Sequence, residues 1–121
     1  MAFYENVQSR TYTSNAFLPQ FAFVTLGANG KVALTGAGLR GDAVAFTEAT
    51  AADQAITGVY DGRAMLKAGG TIARGGAVAS NAAGLAVAAA TGNIILGYAL
   101  EAAVINQIMT VELSRAGTLA P

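Results

Sequence analysis

The sequence predicts an all-β protein: a small Gly/Ala-rich β-barrel or sandwich over residues 21–121, with an extended N-terminal arm over residues 1–20. Three observations carry this. Apolar residues alternate with a period of two in several short stretches, the pattern of strands with one buried face. Clusters of turn-forming residues separate those stretches, as in all-β barrels and sandwiches. The chain has 28 Ala, but 15 Gly are interspersed among them. Each glycine costs a helix interior about 1 kcal/mol, so the alanines do not add up to helices.

Taken in order, "FAFVTL" and "KVALT" flank Asn29-Gly30, a two-residue hairpin signal, and Val32 and Leu34 share one face. In "DAVAFTE", Val44 and Phe46 alternate with Ala45 and Thr47. A short helix is expected around Ala49 to Ala55. Asp61-Gly62 between "ITGVY" and "RAML" reads as a second hairpin, and Ser80 to Gly84 between "AVA" and "LAVAA" as a looser one. Thr91-Gly92-Asn93 is a further turn. In "NIILGYALE", Ile94, Leu96, Tyr98 and Leu100 share a face. In "QIMTVELSR", Met109, Val111 and Leu113 alternate with Thr110, Glu112 and Ser114. Phe23 and Phe46 are expected in the core, with the Tyr hydroxyls at its margin. Gly41-Asp42-Ala43-Val44-Ala45 recurs as Gly75-Gly76-Ala77-Val78-Ala79, 34 residues later, which suggests a barrel of two related halves.

The first 20 residues differ in composition. Phe3, Tyr4, Tyr12 and Phe17 place four of the nine aromatics there. One reading is an N-terminal strand and its lead-in. The other is an arm whose aromatics, with Leu18, anchor on a neighbouring molecule, since aromatics are enriched at interface hot spots. On the arm reading, deleting residues 1–19 leaves the barrel folded and weakens attachment.

Charge and residue types exclude several functions. Charged residues make up 12% and net charge is zero, with no basic run of the kind nucleic-acid binding needs. So few ions leave much surface to small neutral residues or to a partner, which points to assembly. Without Cys or His there is no disulfide, no zinc-thiolate site and no imidazole for proton transfer. No run of about 20 uninterrupted apolar residues suits a membrane span, and the N-terminus has no leader pattern.

Gly36, Gly38 and Gly41 spell the dinucleotide fingerprint, but a strand-like segment follows where a helix must begin. "GANGKV" lacks the first glycine and the hydroxyl of a phosphate loop. Arg40-Gly41-Asp42 matches an adhesion tripeptide, and its expected role is a turn, with Asp42 bonding backbone amides. No pair of acids is spaced for catalysis, so neither an enzyme nor a cofactor is expected.

From Gly69 to Leu113 the chain resembles the small capsid decoration, or cement, proteins of tailed bacteriophages. The residues that carry this are Gly70-Thr71-Ile72, Gly75-Gly76-Ala77-Val78, Ala82-Ala83-Gly84, Ile95 through Ala103, and Val111-Glu112-Leu113. Residues 41–59 match more loosely. The family pattern has Gly-Asp where this chain has Gly75-Gly76, and it does not include the aromatic N-terminal segment. The resemblance implies a module made in the host cytoplasm and seated on the outer surface of the virion. It implies a homotrimer that binds the major capsid protein and bridges neighbouring capsomers, with no catalytic motif. The residues also leave open a freestanding β module for a small ligand or carbohydrate, and a tail or fibre component.

Overall fold

The computed structural model describes residues 8–114 and 117–120. All ten elements are strands: β1 (Gln8–Ser14), β2 (Phe23–Leu26), β3 (Lys31–Leu34), β4 (Ala43–Ala45), β5 (Ala55–Asp61), β6 (Arg63–Lys67), β7 (Ala77–Ser80), β8 (Ala86–Ala88), β9 (Gly97–Ala99) and β10 (Ile108–Leu113). The first five close into a barrel in the order β1-β3-β2-β4-β5, and the others form a sheet ordered β6-β10-β9-β7-β8.

The two sheets are one topology used twice. Read around the sheet, β6-β8-β7-β9-β10 follows the same order as β1-β3-β2-β4-β5. Where β1 meets β3 in parallel at Ser14 and Val32, the second half has a parallel bridge from Ala68 to Ala86. Residues 54 apart occupy equivalent places: Val24 opposes Leu34 as Val78 opposes Ala88, and Phe23 opposes Val44 as Ala77 opposes Tyr98. The reciprocal bridge between Leu18 and Ala49 recurs between Ile72 and Ala103.

Left-handed backbone recurs at the same corners, in Phe21 and Gly75, Gly30 and Gly84, Gly38 and Gly92, and Asp53 and Asn106. The last pair is 53 apart, because the turn before β10 is one residue shorter than its counterpart before β5.

The halves are related as the 34-residue repeat suggested, but in a different register. That spacing matches β4 to β7, whereas the equivalent of β4 is β9.

Several local expectations hold. Asn29-Gly30 turns a hairpin between β2 and β3, and Asn81 to Gly84 turns its equivalent between β7 and β8. On β10, Met109 and Val111 point inward and are buried. Others are corrected. Asp61-Gly62 is not a hairpin, because both sides of β5 are already paired, with β1 and with β4. Gly62 (φ 90) instead hands the chain from the first half to the second.

No helix forms over Ala49 to Ala55. Ala49 bridges Leu18, the Thr50 amide donates to Gln54 Oε1, and Asp53 (φ 64) breaks the helical path. So short a helix has little stability of its own to oppose those bonds. Phe46 lies just beyond β4 and is 46% exposed, so only Phe23 of the expected pair is core.

The boundary at residue 20 does not separate an arm from a barrel. Gln8–Ser14 pairs with β5 along its length, and Ser14 is fully buried. Its hydroxyl donates to the Ala51 carbonyl at 2.7 Å and accepts from the Gln54 amide at 3.0 Å.

The core is made of two clusters. Leu18, Val24, Val32, Ala43, Ala45, Ala49 and Ile56 fill the first barrel. The second cluster spans both halves, since Phe23, Val44 and Val59 on the outer wall of the first barrel pack with Leu66, Leu96 and Val111 of the second. Backbone bonds cross the seam from Phe23 N to Gly84 O (2.7 Å), Lys67 N to Phe21 O (2.9 Å) and Gly38 N to Ser80 O (2.9 Å).

The corner at Asn106 (φ 70) gives a local test. Left-handed backbone is tolerated by Asn and Asp but disfavoured for β-branched residues. Asn106→Val is expected to lose about 1–2 kcal/mol, and Asn106→Gly to change stability little, as read by chemical denaturation.

Candidate interaction surfaces

Of the five residues named as interface candidates, the structure describes Tyr12, Phe17 and Leu18. Phe3 and Tyr4 lie outside the described residues. Leu18 is fully buried beneath its bridge to Ala49, so it is a core residue and not a contact. Tyr12 is half-buried against the first core. Phe17 remains outside, 55% exposed. Among these three described residues, then, Phe17 alone is exposed.

The motif at residues 36–42 is a corner. β4 follows it, where a nucleotide fold requires a helix. A Cβ at Gly41 would lie 3.2 Å from Leu96 and 3.3 Å from the Thr35 hydroxyl, so this glycine lets the two halves approach. Asp42 accepts from the Leu26 amide at 2.8 Å and lies 3.6 Å from Arg40, which ties down the charges of the adhesion-like tripeptide. No group of three acids that could hold a metal occurs among the described residues, and they contain no helix long and apolar enough to cross a membrane.

The duplicated fold supplies an internal control for the surface. The turn before β5 and the turn before β10 are built alike. Gln54 Oε1 accepts from the Thr50 amide, and Gln107 Oε1 accepts from the Val104 amide. The Asp53 amide donates to Ser14 O, and the Asn106 amide to Ala68 O. What the turns display differs. The first shows Thr50 and Ala51, whereas the second shows Val104 and Ile105, 57% and 61% exposed.

The adjoining wall follows suit. Ile108 and Met65 are exposed on β10 and β6, one diagonal step apart, where the first half has Ala55 and Thr11. The same backbone folds with small or polar residues there, so the apolar set is not needed for folding. Burying a Val or Ile side chain is worth about 1.5–3 kcal/mol, and most of that is not realised at these positions. Composition could not reveal this, because Val104 and Ile105 read as one more apolar pair.

A second surface lies at the open end of the first barrel. Arg10, Tyr12, Leu26, Asp42 and Tyr60 line a cleft of about 190 Å³. The Arg10 guanidinium sits 4.7 Å over the Tyr60 ring, an arrangement that holds the cation in place. This volume is below the roughly 300–1,000 Å³ usual for small-molecule sites.

The fold is similar to the N base of the head fiber gp8.5 of bacteriophage phi29. The TM-score is 0.76 at 19% identity, covering 94% of this chain and 99% of that one. The likeness shows the fold. No protein-family model and no curated protein matches the chain.

Proposed function

We propose that this chain is a structural virion protein of a tailed bacteriophage. It binds the outer surface of the assembled head as a homotrimer and stabilises the shell by bridging neighbouring capsomers. Its partner is the major capsid protein, and it needs neither cofactor nor catalytic group for this role. The observation that carries the reading is the exposed apolar set Val104, Ile105, Met65 and Ile108, at positions where the equivalent half is small or polar. The likeness to a head-fiber base supports a place on the head.

The physics is that of linkage. A molecule that binds only the assembled lattice stabilises it by mass action, and simultaneous contacts add avidity. A second reading, the base of a fibre, is favoured by the same likeness and uses the same surface.

The double substitution Val104→Thr with Ile105→Ala tests this. It copies the first half's residues onto the second half's turn, so stability is expected to stay within about 0.5 kcal/mol. Cosedimentation with heads of the encoding phage should weaken at least about tenfold, because central apolar contacts carry most interface energy. Unchanged cosedimentation contradicts the assignment of this surface.

A further inference from the structure

The contact between the two halves is heterologous. The wall of the first barrel, a cross-strand row of Phe23, Val44 and Val59, covers the end of the second half, where Leu66, Leu96 and Leu113 lie. Each half has both a wall and an end, so among the described residues this contact leaves one of each unused. The unused end is the first barrel's cleft. Its Arg10, Tyr12, Leu26, Asp42 and Tyr60 are the equivalents of Ala64, Leu66, Ser80, Leu96 and Leu113, which the contact covers. The unused wall is the row Ala77, Tyr98 and Glu112 on β7, β9 and β10, the equivalents of Phe23, Val44 and Val59.

We propose that a second copy of this chain docks there: the Ala77-Tyr98-Glu112 wall of one copy seats on the Arg10–Tyr60 cleft of the next. The intermolecular contact repeats the one that joins the two halves within a chain. Its chemistry has changed in a matched way.

Within the chain the contact is apolar, with Val59 on the wall and Ala64 at the end. At the unused pair these become Glu112 and Arg10, one acid and one base. Among the described residues neither is in an ion pair, and the Arg10 guanidinium is already held over Tyr60. Tyr98 is 43% exposed on the wall, and the cleft of about 190 Å³ has room for an aromatic side chain among Tyr12, Leu26 and Tyr60. Opposite charges set the register, and the tyrosine supplies the apolar burial. Such a head-to-tail contact builds a ring if its rotation closes, and a filament if it does not.

The test is sedimentation velocity of the purified full chain over a concentration series, without heads, so the result is separate from shell binding. The wild type is expected to associate beyond the monomer. Glu112→Arg should weaken association about tenfold or more, and adding Arg10→Glu should restore it. Both side chains are exposed, so circular dichroism should show native folding in each variant. A wild type that stays monomeric overturns the proposal. So does a Glu112→Arg chain that associates normally, or a charge-reversed pair that fails to recover.

Discussion

Deletion of residues 1–19 is expected to abolish folding, with loss of the β signal in circular dichroism and precipitation of the chain. β1 closes the first barrel by pairing with β5 along its length and with β3 at its end. Without it, β3 and β5 become open edges, which are templates for aggregation. The Ser14 hydroxyl also leaves, and with it the partners of the Ala51 carbonyl and the Gln54 amide. A buried polar group left unpaired costs about 1–3 kcal/mol. Leu18 is lost from the core as well, and removing such a side chain costs about 2–5 kcal/mol. Together these approach the 5–15 kcal/mol that holds a typical domain folded. The sequence left two readings open, a strand and a removable arm, and only the arm reading gives the reverse; β1 matches the strand. A truncated chain with native circular dichroism and a cooperative melt would restore the arm reading.

Phe23→Ala is expected to cost about 3–5 kcal/mol and to loosen the two halves from one another. Phe23 is 2% exposed and belongs to the cluster that spans them. Its own amide donates across the seam to Gly84 at 2.7 Å, and its carbonyl accepts from Thr35. A cavity at this point can collapse little, since a Cβ added to Gly41 would already lie 3.5 Å from the Phe23 ring and 3.2 Å from Leu96. Urea denaturation should show a lower midpoint. Hydrogen exchange should rise at the seam amides of Gly38 and Lys67 before it rises inside the first barrel. Equal exchange at all these sites would mean that the halves unfold as one unit.

The legible parts of this fold were those decided by nearby residues. Alternation of Met109 and Val111 with polar neighbours marked β10, and Asn29-Gly30 marked the first hairpin. The duplication was not legible in its true register. The halves share backbone geometry but few side chains, among them Gly30 and Gly84, Gln54 and Gln107, and Thr57 and Thr110. Gly-Ala-Val strings recur by composition alone, and that favoured a spacing of 34 over the structural 54.

Asp61-Gly62 looked like Asn29-Gly30, but whether a turn makes a hairpin depends on what else its strands pair with. Phe46 obeyed the strand period and still faced solvent, because β4 ends at Ala45. Of the candidate site, the aromatic N-terminal residues drew notice by their chemistry. Val104 and Ile105 gain meaning only beside Thr50 and Ala51, a comparison that needs the fold.

The most direct measurement is the abundance of this chain in purified particles of the encoding phage, weighed against the major capsid protein by quantitative mass spectrometry. A decoration protein that bridges capsomers across the shell should be present at a copy number comparable with that of the shell subunit, and should leave the particle when the shell is dissociated. Absence from the particles, or a trace amount confined to the tail, would contradict it.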